Sequence, residues 1–398
     1  METAIITTTI NVPHFLDGIC KNMKKFHHDT NKNEVIVIAD LKTPKEAASY
    51  CKKITKKYGF KIHFFDIDFQ NKFFRKKYKK LYSLFPLNDA IRKLLGSIYL
   101  FDNLPSRLIF IDDDNYICDE KDFLKGHSIT NKSKNLKIVS SKSKWPNLYK
   151  FFKERSDVPF YPRGYPWKHR NIGAKNFKIR YGTKKVIANC GYILGDPDID
   201  ASSRLFWPIE TLKVKEKTHL ALDKDNFFPL NDQNTSLAKE YIPLYFKPMA
   251  GGRNSDIWTS YLIEKISFNF NETASYGPSF LKQIRNKHDY WKDYELEKLH
   301  NIATDLFADI LSKIKIKNKI NKLDAFIELC ESFISTLNQI SKKNKVSKNE
   351  KTRHYQAISN KELTNRNFET IIYIRKYIVE YGIWLKEVQK IFKNKDVY

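Results

Sequence analysis

A short apolar segment that runs directly into three acidic residues constrains this chain more than any other feature. Arg107–Ile111 (RLIFI) predicts a buried strand, and Asp112, Asp113 and Asp114 follow it without a break. In an extended segment Asp112 and Asp114 point to one side and Asp113 to the other. Adjacent carboxylates repel each other, so the triplet predicts a bound cation, and oxygen ligands suit Mg²⁺ or Mn²⁺. The alternative is an acidic turn that only ends the strand.

The residues before this segment alternate between strand and helix patterns. The predicted strands are Ala4–Ile10, Glu34–Ala39 and Lys61–Phe65, and the predicted helices are Val12–Phe26, Lys45–Tyr58 and Leu87–Tyr99. This alternation predicts an α/β, Rossmann-like fold with a mainly parallel sheet flanked by helices. Ligands of such sheets bind at the carboxyl ends of the strands, where the acidic triplet lies.

The pattern changes twice further along the chain. Proline, glycine and aromatic residues are interleaved from residue 119 to about residue 249, which is typical of long functional loops. After Tyr276 long amphipathic stretches predict a region that is almost wholly helical. We therefore expect a catalytic domain over residues 1–276 and a helical C-terminal region over residues 277–398.

The chain is strongly basic. Its 398 residues include 71 Lys+Arg and 45 Asp+Glu, which gives a net charge of +26. This excess fits a phosphorylated substrate, anionic lipid or nucleic acid, but Lys, Asn and Ile are abundant together, as compositional drift of a genome also produces. Lysine dominates over the arginine that phosphate and base readers prefer, so nucleic acid is not expected as a partner. The basic helices after Tyr276 could make peripheral contact with a membrane.

The cysteine pattern is typical of a reducing cytoplasm. Five cysteines are widely separated and none lies in a C-x-x-C motif, which argues against a zinc ribbon and against a disulfide framework. The first residues lack the basic and apolar regions of a signal peptide, and no apolar run approaches the roughly 20 residues that span a bilayer. We expect a cytoplasmic protein that is at most peripheral at the inner face of a membrane.

Three polar residues before the acidic triplet are candidates for nucleotide-sugar binding. Asp40 follows the second strand and could bond a nucleobase or ribose, or it could cap the next helix. Asp89 and Arg92 share one face of the predicted helix that precedes the acidic strand. Arg92 could bind a diphosphate or hold the carboxylates in place, or it could form only a surface ion pair.

The segment from Tyr161 to Arg170 carries the most specific motif. It contains R-G-Y-P beginning at Arg163, with Arg170 seven positions after that arginine. This resembles R-G-Y-P-F-S-L-R of the reversibly glycosylated polypeptides, which include the plant UDP-arabinopyranose mutases. Four further blocks resemble the family in the same order: Ile109–Cys118 (T-I-D-D-D-C), Gly191–Ala201 (G-L-W-L-N-I-P-D-Y-D-A), Phe228–Ile242 (F-P-M-C-G-M-N-L-A-F-D-R-E-L-I) and Ser255–Trp258 (D-D-M-W).

The resemblance implies a GT-A fold, in which a divalent metal on a D-x-D motif bridges the diphosphate of a nucleotide sugar. It makes Asp112 and Asp114 metal ligands and places Asp113 on the nucleotide sugar. Further residues that match the family's site are Arg163 (the arginine that becomes glycosylated), Arg170, Asp198, Asp200, Asn234 and Asp256.

Two positions depart from the family's pattern. Ser255 stands where the family has the first aspartate of D-D-M-W, and Asn271 stands where it has a histidine. The amide oxygen of Asn271 can still coordinate a hard cation, more weakly and without titrating. We therefore expect Asn271 as a further metal ligand of reduced strength.

The chemistry of the side chains suggests their roles. A guanidinium stays protonated and has no free lone pair, so we expect Arg163 and Arg170 to neutralise the departing diphosphate together with the metal. Glycosylation of Arg163 is what the resemblance implies. Asp198, Asp200 and Asp256 are candidates for the base that accepts the acceptor's proton, or for stabilising an oxocarbenium-like centre. The first two could instead form only a turn.

These features predict a metal-dependent glycosyltransferase that uses a nucleotide-diphosphate sugar, expected to be a UDP-sugar. Its acceptor would be a glycan, a lipid-linked molecule or a small molecule in glycan or cell-surface polysaccharide synthesis. The first alternative is a UDP-sugar pyranose/furanose mutase with a glycosylated arginine. The second is a polyanion- or membrane-surface-binding protein on an inactive GT-A scaffold.

Overall fold

The computed structural model describes residues 1–118, 120–155, 158–170, 177–286, 288–343 and 360–393. The strands are β1 (Thr3–Thr9), β2 (Asn33–Ala39), β3 (Lys61–Phe65), β4 (Arg107–Ile111), β5 (Asn115–Ile117), β6 (Lys132–Ser140), β7 (Phe152–Glu154), β8 (Lys178–Gly195), β9 (Thr211–Val214), β10 (Leu220–Leu222), β11 (Asn234–Ala238) and β12 (Glu272–Gln283). The helices are α1 (Phe15–Lys25), α2 (Glu46–Tyr58), α3 (Ile67–Lys77), α4 (Lys79–Tyr82), α5 (Leu94–Tyr99), α6 (Phe123–His127), α7 (Ala201–Phe206), α8 (Ser255–Asn269), α9 (Tyr290–Lys313), α10 (Lys322–Lys343) and α11 (Asn360–Phe392).

All twelve strands belong to one sheet. Ten of them follow the order β3-β2-β1-β4-β11-β8-β6-β10-β12-β5, while β9 pairs with β8 and β7 pairs with β9. Strands β3, β2, β1 and β4 run parallel to one another. The chain proceeds from β1 outward to β3 and then crosses back to place β4 on the other side of β1. This reversal creates a crevice at the carboxyl ends of β1 and β4, where open α/β sheets bind ligands.

Strands β1, β2 and β4 are buried on both faces, as their continuous apolar runs predict, whereas the edge strand β3 is partly exposed. In β1, Ile5 belongs to a core cluster with α1, α2 and α6, whereas Ile6 belongs to the larger cluster on the opposite face. The α/β fold with flanking helices is therefore confirmed, and β3 and β4 have the predicted bounds. The expectation of a mainly parallel sheet holds only for the first four strands.

The rest of the sheet is mixed. Strand β11 lies antiparallel between β4 and β8, β6 and β8 form an antiparallel pair, and β12 runs parallel to β8. Strands β6, β8 and β11 come from the segment between residue 119 and about residue 249, which the sequence predicts as long loops. Their pairing depends on contacts between distant parts of the chain, which local patterns do not reveal.

The C-terminal helices pack on the face of the sheet that carries the larger core cluster, and their apolar residues belong to that cluster. Helix α11 donates three hydrogen bonds to one segment: Tyr377 Oη to the Ser255 carbonyl at 2.8 Å, Tyr381 Oη to Leu244 at 2.7 Å and Trp384 Nε1 to Pro243 at 2.8 Å. These bonds brace the segment that forms one wall of the site described below. The division at residue 276 stays a prediction, and β12 extends past that residue to Gln283. Within the described ranges, no helix has the length and apolar character needed to cross a bilayer.

Candidate functional site

The acidic triplet opens into a cleft of about 530 Å³ at the carboxyl ends of β4 and β12, beside the first turn of α8. The cleft lining alternates between acidic and basic side chains. The charged lining residues are Asp89, Asp112, Asp114, Asp198, Asp232, Asp256, Lys93, Lys247, Arg163, Arg253 and Arg285. A cleft of this kind can bind an anionic group and also hold carboxylates ready to act on it.

Asp112 and Asp114 both line this cleft, as their alternation along an extended segment predicts. Asp113 instead accepts a hydrogen bond from Thr9 Oγ1 at 2.7 Å. It lines a neighbouring pocket of about 320 Å³, whose wall also includes Asp112 and Asp114. Thr9 ends β1, so this second pocket lies at the crevice between β1 and β4. The triplet therefore forms the rim that the two cavities share.

Asp114 is buried and incompletely bonded. Gln283 Nε2 donates to its Oδ2 at 3.2 Å, and its Oδ1 has no hydrogen-bond partner among the described residues. Burial raises the pKa of the Asp114 carboxyl to about 6, and the negative charge of Asp112 adds to this. An unpartnered buried carboxylate oxygen is costly, so a ligand with positive charge would stabilise it.

Lys93, which the sequence analysis did not select, joins the two sides of the cleft. Its ammonium group is almost fully buried and pairs with Asp112, and it donates to the Asp232 carbonyl at 2.9 Å. Burial alone would lower the pKa of Lys93, but the carboxylates of Asp112 and Asp232 outweigh it and raise that pKa. Lys247 pairs with the Asp232 carboxylate at 2.5 Å, and Lys93 Nζ approaches the same oxygen at 3.7 Å. These lysines place fixed positive charge beside the acidic residues.

Arg163 uses every donor of its guanidinium within the protein. Its Nε and one terminal nitrogen bind the two carboxylate oxygens of Asp198 at 2.8 and 3.1 Å, and the same terminal nitrogen also binds Asp256 at 3.1 Å. The other terminal nitrogen binds Asn254 Oδ1 at 3.0 Å and the Arg253 carbonyl. A guanidinium has five N–H donors, and all five have acceptors here. The two carboxylates also raise the pKa of Arg163, after overcoming the opposite effect of burial.

The glycine of the R-G-Y-P motif makes this arrangement possible. Gly164 has φ = +67°, and a Cβ atom there would lie 2.6 Å from Ile257 Cγ2. Only glycine fits so close a contact with left-handed backbone geometry. The turn holds the Arg163 N–H against the Asp198 carbonyl at 3.0 Å, while the side chain returns to the Asp198 carboxylate.

Asp256 lies in the first turn of α8 and lines the cleft beside Arg163, with which it pairs at 3.1 Å. Burial raises the pKa of its carboxyl to about 6; the charge of Arg163 opposes this rise, and the carboxylates of Asp232 and Asp198 add to it. The Asp232 N–H donates to Asp256 Oδ2 at 3.4 Å. A carboxyl that titrates near neutral pH in a cleft is suited to accept a proton.

Asp40 and Asp89 line the smaller pocket. The carboxylate of Asp40 accepts from the N–H groups of Asn88 and Asp89 at 2.9 and 3.2 Å, and it does not cap α2. Asp89 accepts from the Ile91 N–H at 2.9 Å and also faces the larger cleft. Both residues therefore shape the loop at the junction of the two cavities.

The structure contradicts the prediction that Arg92 binds the nucleotide sugar. Arg92 is 1% exposed, and it donates to the carbonyls of Phe85 and Pro86 at 3.0 and 3.2 Å and to the side chain of Gln70. It does not line either cavity, because its side chain points into the core beneath the loop. The next residue, Lys93, reaches the acidic site instead.

Two predicted asparagines also lie away from the cleft. Asn234 is fully buried: His127 Nε2 approaches its Oδ1 at 2.9 Å, and its Nδ2 donates to the Ser279 carbonyl at 2.9 Å, so it is a structural residue of β11. Asn271 precedes β12 and pairs with Lys184, whereas the opposite end of that strand reaches Asp114. A strand of twelve residues is roughly 40 Å long. The metal-ligand prediction for Asn271 is therefore wrong.

Asp200 and Arg170 form a buried pair outside the described lining of the cleft. Asp200 is fully buried and accepts from the Ser203 N–H at 2.9 Å as the N-cap of α7. Arg170 pairs with it at 2.7 Å and stacks over Trp167 at 3.8 Å. The catalytic roles predicted for this pair are corrected to structural ones, because the carboxylate of Asp200 is used by the helix end and by Arg170.

The structure adds Lys93, Asp232, Lys247 and Arg285 to the predicted site. Asp232 carried a signal in the sequence, because it stands at the glycine of the family's F-P-M-C-G pattern. Its carboxylate lines the same cleft as Ser255, which stands where the family that this chain resembles has an aspartate. The three cations follow no local pattern, because lysine and arginine are common throughout this chain.

The residues present fit a divalent cation in one specific way. No group of three or more His, Cys, Asp or Glu side chains in the described ranges is arranged to hold a metal ion. Mg²⁺, however, is often bound by one or two carboxylates with substrate phosphates supplying further ligands. The unpartnered Asp114 Oδ1 and the partly exposed Asp112 carboxylate could hold a cation in that manner.

Known proteins show limited similarity to this chain. No protein-family model matches. UDP-arabinopyranose mutase 3 of Arabidopsis thaliana is 25% identical over 162 residues, so the match spans 39% of this chain and only 41% of that protein. A solved structure of the mannosyltransferase PcManGT from Pyrobaculum calidifontis, in complex with GDP-Man and Mn²⁺, aligns with a TM-score of 0.40 and 8% identity over 99% of this chain and 88% of that one. S. aureus TarS 1-349 in complex with UDP aligns with a TM-score of 0.35 and 11% identity over 98% and 92% of the two chains.

Proposed function

We propose that this protein is a metal-dependent glycosyltransferase that uses a nucleotide-diphosphate sugar, with UDP as the expected nucleotide. The observation that carries the proposal is the position of Asp112 and Asp114. Both face the larger cleft, which Lys93 and Arg285 also line, and both border the smaller pocket at the crevice between β1 and β4. Carboxylates for a cation and fixed cations for phosphate meet where α/β sheets bind ligands. The partial similarity to a UDP-arabinopyranose mutase supports the choice of UDP.

The two cavities suggest how the donor lies. The smaller pocket, with Asp40 and Asp113, would take the nucleoside, and the diphosphate would cross the shared rim at Asp112 and Asp114. The glycosyl group would then enter the larger cleft and face Asp256. The rim is common to both cavities, so this order places the reactive bond beside the acidic triplet.

Several side chains would assist departure of the diphosphate. A divalent cation, when bound by Asp112 and Asp114, would stabilise negative charge on the leaving oxygen. Lys93 holds Asp112 in position, and Arg285 supplies a cation that is itself oriented by Asp196 at 2.6 Å. Fixed charges of this kind need no rearrangement as the bond breaks. Asp256 would accept the proton of the acceptor hydroxyl.

The full pairing of Arg163 favours transfer to an acceptor over the mutase alternative. A glycosylated arginine needs a nitrogen that can lose a proton and attack the anomeric carbon, whereas all donors of Arg163 are bound and its pKa is raised. These contacts instead suit Arg163 to hold the carboxylates of Asp198 and Asp256 in position. We further propose that the protein acts in the cytoplasm. Its acceptor would be a glycan, a lipid-linked molecule or a small molecule in glycan or cell-surface polysaccharide synthesis.

The direct test is calorimetry and turnover with UDP-sugars. We expect UDP to bind with Mn²⁺ or Mg²⁺ and far more weakly after chelation, and we expect UDP release from a UDP-sugar to increase when an acceptor is supplied. Formation of an isomeric UDP-sugar without acceptor, at a rate comparable to turnover, would establish the mutase alternative. Absence of any metal-dependent UDP binding would contradict both enzymatic assignments.

The raised pKa of Asp256 predicts a pH profile. Below about pH 6 its carboxyl is protonated and cannot accept a proton, so kcat/KM should rise about tenfold between pH 5 and pH 7. The Asp256→Asn variant should lose about 10²-fold to 10⁴-fold in kcat. Its profile should rise less than that of wild type, because the contribution of Asp256 is gone while the Asp114 carboxyl, whose pKa is also raised to about 6, still titrates in this range. Measuring kcat/KM across this range for both proteins tests the assignment. A wild-type profile that is flat from pH 5 to pH 7 would contradict it.

A further inference from the structure

A second groove lies away from the acidic cleft and takes no part in the proposed glycosyl transfer. It has a volume of about 630 Å³ and is bounded by α6, the start of β6 and the residue that follows α1, Phe26. Its described lining residues are Phe26, Lys121, Asp122, Lys125, Gly126, Ser128, Ile129, Lys132, Lys134, Asn135, Leu136, His219 and Pro278. The groove shares no residue with the lining of the acidic cleft.

The floor of this groove is apolar. Ile129 and Leu136 belong to a small core cluster with Ile138, Val186 and Ala221, separate from the two large clusters of the sheet. Helix α6 is only five residues long and adjoins this part of the sheet without closing the groove. The C-terminal helices lie on the other face, with the largest cluster. Ile129 and Leu136 are each 7% exposed, and together with the half-buried Phe26 and Pro278 they give the groove a small apolar floor that an apolar group of a ligand could contact.

The rim of the groove is basic. Lys125, Lys132 and Lys134 are exposed, and none of them forms a side-chain ion pair with any residue in the described part of the chain. Lys121 lies over the Phe280 ring at 3.9 Å. The acidic residue of the lining, Asp122, is bonded to His28 at 2.8 Å and to the Lys125 N–H at 3.0 Å. The positive charge of the rim is thus not neutralised from within.

We propose that this groove binds an anionic phospholipid surface, with headgroup phosphates on the Lys125, Lys132 and Lys134 ammonium groups and apolar parts of the lipid over Ile129 and Leu136. Lysine rims around apolar floors complement anionic amphiphiles, because the two parts of the ligand meet matching surfaces. A second copy of this chain is disfavoured, because two such grooves face to face would bring lysines against lysines. The proposal does not depend on the reaction in the acidic cleft.

The test is vesicle co-sedimentation of the full chain. Vesicles of phosphatidylcholine with 30% phosphatidylglycerol should bind the protein, and vesicles of phosphatidylcholine alone should bind it at least tenfold more weakly. A basic side chain near an anionic surface contributes about 1 kcal/mol, so the neutral variant K125Q/K132Q/K134Q should bind about 100-fold more weakly than wild type. The charge reversal K125E/K132E/K134E should bind more weakly still.

The matched control is K72E/K76E/K79E, which makes the same change in net charge as the charge reversal, at exposed lysines of α3 and α4. It should retain binding within about threefold of wild type, since α3 packs against β3, six strands away from β6 in the sheet. Circular dichroism and thermal unfolding should match wild type for the neutral variant, the charge reversal and the control. If the charge reversal does not fold, the neutral variant decides. Equal binding to both vesicle types, wild-type binding by the groove variants, or loss of binding in the control would each overturn the proposal.

Discussion

Replacing Asp112 and Asp114 together with asparagine is expected to reduce kcat/KM at least 10³-fold and to abolish the metal dependence of UDP binding. Both carboxylates face the cleft, and the Oδ1 atom of Asp114 has no partner within the described protein. Losing a single preorganised charge interaction at a leaving group costs about 10²-fold to 10³-fold, and this double change removes two. Calorimetry of UDP with and without Mn²⁺, together with steady-state kinetics, measures both effects.

The matched control is Asp113→Asn, which removes one carboxylate from the same triplet. Asp113 bonds to Thr9 and faces the smaller pocket, so its replacement should lower nucleotide affinity by less than about tenfold and leave metal dependence intact. Equal losses in the D112N/D114N and D113N proteins would mean that the orientation of the side chains has no role. Full activity of D112N/D114N would refute the proposed function.

Replacing Arg163 with glutamine is expected to lower the free energy of unfolding by about 3–5 kcal/mol, because Asp198 and Asp256 would stay buried without their counter-charge. The Arg163→Lys variant keeps the charge but not the planar set of donors, so it should lose less. Urea denaturation followed by fluorescence measures these differences. Adding Asp256→Asn to the glutamine variant should recover part of the loss, since it removes one unpaired carboxylate.

Arg155→Gln is the control for this prediction. Arg155 pairs with Glu210 at the surface, where its side chain is 67% exposed, and its loss should cost less than about 1 kcal/mol. A cost for Arg163→Gln as small as that of the control would contradict the buried network.

Intact-mass measurement of wild type after incubation with a UDP-sugar should show no added glycosyl group, and a sugar on Arg163 would overturn the positioning role.

Four of the residues selected from the sequence lie together in the structure. Asp112, Asp114, Asp198 and Asp256 all line one cleft. The end of a parallel strand fixes where the first two side chains emerge, whereas the other two were selected by the resemblance of their segments to a family. The glycine after Arg163 is likewise part of the sequence motif, and its φ of +67° explains why glycine stands there. Their chemical roles stay proposals.

The errors came from residues whose roles depend on distant partners. Arg92 and Asn234 have the chemistry of binding residues, but the packing of the loop after α4 and of β11 turns both side chains inward. Asn271 matched a family position, yet it lies at the opposite end of the strand from the acidic site. Side-chain type alone does not reveal which end of a strand faces the crevice.

The sequence by itself determined the α/β class, the buried parallel strands and the acidic turn after β4, since these depend on periodicity and on residues adjacent in the chain. Only the tertiary structure decided that Lys93 pairs with Asp112, that Arg163 is fully bonded, and that a basic groove lies beside α6. These features join residues far apart in sequence, and their energies depend on burial and distance, which no local pattern contains.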